Sequence, residues 1–324
     1  MSRAKVDFTL PQAFRVTDLL AHQFPPQQYW WGPNILPKSA VAMIGGPSGV
    51  GKSFVSLSVI RALTLGIPVF NDPLFDVPRQ TRVLYMDQEV APQGLQERVR
   101  NSFTPEESQR AADYFYALSG NPDISFSSQA GFDLILENVE RIKPEVLILD
   151  PIANLHNYDE NSNTEIGLLF KQVNKIKSVG LDWGLSVIIV HHTKKPAEGA
   201  DPLSAKQARG ASVFEAVMDG VLMMEFGKYL TTEQEAWTLR CRFDKVRHGR
   251  KPPEFWLTIN EHGNFRAELT RWAGSSFAGG MPQMKVPVPS NPFAPPAVSP
   301  PAPAPPTSGP VAIDIPLGPK IKTF

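Results

Sequence analysis

The chain has 324 residues, enough for one large core or two modest domains, and its 42% hydrophobic and 20% charged residues are the balance of a globular protein. Lys plus Arg number 32, as do Asp plus Glu, so a formal net charge of zero excludes bulk attraction to nucleic acid; any such binding must come from a local basic patch. A single cysteine, Cys241, excludes an intramolecular disulfide, and neither a secretory core nor an apolar run of roughly 18–20 residues is present, so a soluble cytoplasmic protein with no membrane contact is expected.

Residues 1–35 read as an N-terminal segment, in which Trp30 and Trp31 are expected as core or interface aromatics. From 36 to 275 the chain reads as one α/β domain. The runs AVAMIGG, RVLYMDQ, VLILDP and SVIIVHH are short, apolar and rich in β-branched residues, as in strands buried on both faces. SFVSLSVIRALTLG predicts a helix closed by Gly66, and NTEIGLLFKQVNKIKSVG a second one stopped at Gly180. That alternation implies a mostly parallel sheet flanked by helices. Between 236 and 269, WTLRCRF, EFWLTIN and NFRAEL predict an antiparallel C-terminal extension.

The segment Gly46-Pro47-Ser48-Gly49-Val50-Gly51-Lys52-Ser53 is a GxxxxGK[ST] motif between a predicted strand and a predicted helix. Gly46, Gly49 and Gly51 let the backbone curl so that its N–H groups face phosphates, and the helix N-terminus adds its positive end. Lys52 supplies a charge to the β- and γ-phosphates, and Ser53 a hydroxyl to Mg2+, which makes the expected ligand ATP with magnesium. Later strands should then carry polar tips at the same edge. VLILD ends in Asp150, suited to the magnesium's water shell; RVLYMDQE ends with Asp87 and Glu89, where a carboxylate takes a proton from the attacking water; SVIIV ends with His191 and His192, placed to sense γ-phosphate.

Two basic stretches stand out. LRCRFDKVRHGRK serves a nucleotide, a nucleic acid or simply a soluble strand edge. The loop 193–210 holds Lys194, Lys195, Lys206 and Arg209, which either meet the phosphates of single-stranded DNA or belong to a flexible surface loop. Fourteen of the 32 prolines follow residue 281, so 276–324 reads as a disordered Pro-rich tail, its last residues either a frayed end or a docking peptide for a replication partner.

The order GGPSGVGKS, VLYMDQEVAP, VLILDPIANLHNYDEN, VIIVHHTKK and RGASVFEAVMDGVLMM resembles the RecA-like branch of P-loop NTPases, and within it the hexameric plasmid replicative helicases of the RepA family. The resemblance implies a RecA-like core acting as a hexameric, ATP-dependent DNA helicase on single-stranded DNA, with Glu89 as catalytic base, Asp150 as Walker B acid and His192 as γ-phosphate sensor. Where that family carries an arginine reaching the neighbouring subunit's ATP, this chain has residues near Asp219, which cannot do that work. Lys245 and Arg247 resemble instead the Lys-x-Arg pair of DnaB helicases and are the expected subunit-crossing cations, or else a solvated strand edge. With about 35 residues before the first strand, a compact motor in replication of a plasmid, phage or mobile element is expected. The alternative is a RecA-like recombination or loading ATPase without processive unwinding.

Overall fold

The computed structural model describes residues 13–23, 26–32, 35–194, 197–208, 211–227, 236–260 and 266–273, all within the first of two compact units, Met1–Met284. The Pro-rich tail and its terminal peptide lie outside the described residues.

A short helix α1 (Val16–Ala21) precedes a small hairpin, β1 (Tyr29–Trp31) and β2 (Leu36–Pro37). There follow β3 (Val41–Gly46), α2 (Lys52–Leu65), β4 (Val83–Asp87), α3 (Pro92–Ser102), α4 (Pro105–Ala111), β5 (Phe115–Ser119), α5 (Gln129–Ile142), β6 (Val146–Asp150), α6 (Asn163–Val179) and β7 (Ser186–His192). The chain continues through α7 (Ala211–Val217), β8 (Gly220–Phe226), β9 (Ala236–Val246), β10 (Phe255–Asn260) and β11 (Arg266–Trp272). Among the described residues, nine strands form one sheet in the order β11-β10-β9-β8-β3-β7-β6-β4-β5, parallel from β8 to β5 and antiparallel from β8 to β11. The four buried strands, both helices and the antiparallel extension predicted from the sequence are all present. Two parallel strands were not predicted: β5, whose edge position leaves it only half-buried, and the buried β8.

Because successive strand residues face opposite ways, the sheet divides its apolar side chains between two cores. Ala42, Ile44, Val83, Tyr85, Val146, Ile148, Ile188 and Val190 face α2. Val41, Met43, Leu84, Met86, Leu147, Leu149, Val187 and Ile189 face α5 and α6. Helix α2 is buried on almost every side because β11 also reaches it, the Ala267 N–H donating to Ser58 Oγ at 2.8 Å. Gly66 ends α2 in the left-handed region, φ 65°, as its sequence position predicts.

The core begins ahead of residue 36. Trp30 donates from Nε1 to the Gly184 carbonyl at 3.0 Å, and Trp31 meets Phe243 edge-on with centroids 5.7 Å apart. Phe75 and Phe255, 5.3 Å apart, continue that aromatic cluster, which ties the hairpin and the loop after α2 to the antiparallel extension. Cys241, a free thiol, is buried in this core.

Candidate active site

The carboxyl edge of the parallel strands gathers the predicted site. β3 runs into the Gly46–Ser53 loop, which opens α2. Gly49 and Gly51 hold φ of 75° and 97°, which a side chain would strain. Gly46 is required for another reason, close approach: a Cβ there would lie 2.7 Å from the Met224 carbonyl on β8. Val50 is fully buried and anchors the loop, while Ser48 and Gly49 are exposed.

Strand parity selects which tips meet. Asp87 and Asp150 are register partners on β4 and β6, in step with Tyr85 and Ile148, so both carboxylates lie on the α2 face. Both are buried. Tyr85 joins them, its hydroxyl donating to Asp150 Oδ2 at 2.7 Å and lying 3.3 Å from Asp87 Oδ2. Asp150 also accepts from the Ser53 hydroxyl. Burial raises the Asp150 carboxyl to about 7; the bonds from Tyr85 and Ser53 oppose this, while Asp87 and Glu89 add to it.

His192 shares the parity of Ile188 and Val190 and faces the phosphate loop. Its Nδ1 lies 3.0 Å from Lys52 Nζ, which also donates to the carbonyls of Gly46 at 3.0 Å and Pro47 at 2.8 Å. An ammonium can only donate, so Nδ1 is the acceptor and the neutral ring carries its proton on Nε2. Burial lowers Lys52 to about 8, against the nearby Asp150 and Glu89, which raise it. His191 points the other way, fully buried and stacked on Phe214 with centroids 4.5 Å apart. The histidine pair is therefore one core residue and one site residue.

Glu89 is exposed on a turn just beyond β4. Arg98 of α3, which the sequence reading missed, lies over the Phe54 ring with Nη1 3.7 Å from Asp87 Oδ2. Its only sequence signal was a cation on the helix after Glu89.

The remaining predicted residues lie elsewhere. Lys245 and Arg247 stand at the end of β9, paired with the start of β8, so they occupy the opposite edge of the sheet from their own phosphate loop. Lys245 Nζ donates to the Glu215 carbonyl, Arg247 donates to the Ala216 carbonyl at 2.7 Å, and Arg247 also pairs with Asp219 at 2.9 Å. Asp219 accepts the Val41 N–H at 2.9 Å, a structural role that agrees with its unfitness as a crossing cation. Elsewhere in the basic run, Arg240 is paired with Glu225 and Glu254, and Arg242 with Asp201, Asp244 and Glu254, so much of its charge is neutralised locally.

Lys194 and Lys206 are exposed on the loop leaving β7; Lys195 and Arg209 lie outside the described residues. The described part of that loop is tied down. Thr193 bridges Ala208, Ala205 N–H donates to Asp244 Oδ2 at 2.7 Å, and Leu203, Ala205 and Ala208 are buried.

Residues 8–198 match the family AAA_25, described as an AAA domain. The chain belongs to that family. Its fold is the RecA-like P-loop NTPase core, with a mostly parallel sheet, flanking helices and an antiparallel extension. Within the sequence of this AAA_25 chain, 128 residues are 30% identical to the DNA repair protein RadA of Synechocystis sp., covering 39% of this chain and 22% of that relative. The chain thus spans about a fifth of RadA's length. A KaiC-like protein from Pyrococcus horikoshii OT3 is similar over 72% of this chain and 91% of its own, at 15% identity and a TM-score of 0.48. No helix among the described residues is long and apolar enough to cross a membrane.

Proposed function

We propose that this P-loop ATPase is a ring-forming motor that hydrolyses ATP to move along single-stranded DNA and unwind duplex. The observation carrying this reading is the split of the site across the sheet. Lys52, Ser53, Asp150 and His192 meet at one edge, with Glu89 near enough to act on the charge of Lys52, while Lys245 and Arg247 occupy the other edge. Cations so placed serve a phosphate only on a second subunit, in a head-to-tail ring. Arg247 there lines a cavity of about 490 Å³ with Lys38, Lys177 and His248.

The oxygen donors suit magnesium. A buried carboxylate bonded to Ser53 gains from a cation, and no group of three or more His, Cys, Asp or Glu among the described residues forms a cage, as fits an ion held through waters and phosphates. Ser53 and Asp150 would hold it, and it would neutralise charge on the β- and γ-phosphates. Phosphate oxygens take the Lys52 ammonium from the Gly46 and Pro47 carbonyls. The Nε2–H of His192 donates to the γ-phosphate, and the Glu89 carboxylate orients the attacking water and takes its proton. Because His192 leads directly into the loop with Lys194 and Lys206, loss of γ-phosphate can shift that loop against DNA.

Strand displacement by the full chain tests this reading. It should require ATP and vanish in Lys52→Ala, and Lys194→Ala with Lys206→Ala should flatten the salt dependence of single-stranded DNA binding by about 0.7 per lost phosphate contact. The similarity to a DNA repair protein favours a second reading, a recombination or loading ATPase. DNA-stimulated hydrolysis without unwinding would select it, and absence of any DNA stimulation would exclude both.

A further inference from the structure

We propose that Asp87 is a positioning residue for hydrolysis, its carboxylate fixing the turn that aims Glu89; this rests on the reading of Glu89 as the base. Asp87 is the last residue of β4 and is fully buried. Its Oδ1 accepts the N–H of Glu89 at 2.8 Å and of Val90 at 3.1 Å, so one side-chain oxygen holds two successive backbone donors just past the strand. Oδ2 faces the Tyr85 hydroxyl at 3.3 Å and Arg98 at 3.7 Å. Both oxygens are thus engaged in a buried setting, which suits a brace and not a base open to water.

Flanking ties hold the rest of the turn. The Gln88 N–H donates to the Asp150 carbonyl at 2.8 Å, Asn154 Nδ2 donates to the Gln88 carbonyl at 3.0 Å, and Ser119 Oγ donates to the Val90 carbonyl at 2.5 Å. Among these ties, Asp87 alone grips Glu89's own amide. Glu89 is exposed, so the fixed position of its backbone sets where its carboxylate can reach, and misplacing a reacting group by about 1 Å costs on the order of a hundredfold in rate.

Single-turnover ATP hydrolysis and nucleotide affinity of the full chain test the assignment in Asp87→Ala, Asp87→Asn, Glu89→Gln and Asp87→Ala/Glu89→Gln. Asp87→Ala should slow hydrolysis about ten- to a hundredfold with nucleotide affinity within about twofold. Asp87→Asn, which keeps an accepting Oδ1, should recover most of the rate. Adding Asp87→Ala to Glu89→Gln should cost nothing more, because no carboxylate is left to aim. Multiplying losses in the double variant, or equal losses in the Ala and Asn variants, would overturn the proposal. Should Asp87→Ala not fold, Asn154→Ala at an exposed site loosens the same turn, and its rate loss should likewise disappear in the Glu89→Gln background; a loss that persists overturns the proposal. A fully active Glu89→Gln would instead remove the base itself, an outcome distinct from failure of the brace.

Discussion

At the tip of β7, two adjacent histidines differ in role because a strand turns successive side chains to opposite faces. His192 meets Lys52, and under the proposed function its Nε2–H would donate to charge developing on the γ-phosphate; His191 is packed flat on Phe214. The two substitutions to alanine should therefore fail differently. His192→Ala should lower ATP turnover about a hundred- to a thousandfold with little change in melting temperature, the scale of losing one preorganised donor. His191→Ala should instead lower the melting temperature, through a cavity beneath Phe214. Thermal melts beside steady-state rates check both, and a His191→Ala protein that melts normally would undo the parity argument. This face assignment was recoverable from SVIIVHH once the strand was recognised, as was the Asp150 tip. Arg98 was not, because its arrival beside Asp87 depends on how α3 packs across Phe54, which no local pattern encodes.

Between elements, Glu107 is a junction. It closes a capping box with Thr104 at the start of α4, and its carboxylate takes Arg61 from α2 and Arg266 from β11, the latter at 2.7 Å. Burial works to raise its carboxyl, but the Arg61 hydrogen bond, the Thr104 N–H and the charge of Arg266 win and hold it at about 2, below the ordinary 4.5. The folded value lies below the unfolded one, so this stabilisation is complete above about pH 4.5 and is lost as pH falls through about 2. Glu107→Ala should cost about 2 kcal/mol near neutral pH, from the lost cap and the two arginines left unpaired. In acid titrations followed by circular dichroism, wild type and variant should converge below about pH 2; a gap that persists there would contradict the assignment. The sequence pattern TPEE marks the cap, but the partners come from residues 46 and 159 positions away, so only the folded sheet reveals the junction.

For the whole molecule, the strand–helix alternation made the parallel core legible, and the resemblance extended it to a RecA-like engine. The folding of β11 back onto α2 was not legible, since nothing local in RAELTRW says which helix it will cover. The wider consequence is a chain whose nucleotide loop and cation pair face opposite sheet edges. If Arg247 served only its own subunit, holding Asp219 and the end of α7, its loss would be confined to the chain that carries the change. If it completes a neighbour's site, two different defects should complement each other. Lys52→Ala removes the nucleotide grip and leaves Arg247 intact, whereas Arg247→Ala does the reverse. Each protein alone should hydrolyse almost no ATP. Mixed in equal amounts and allowed to reassemble, half the subunits keep a sound loop and half of their neighbours keep Arg247, so about a quarter of the wild-type rate should return. Lys245→Ala should behave in the same way. A mixture as inactive as its components, with assembly verified by sedimentation, would return both cations to a purely structural role at the end of α7.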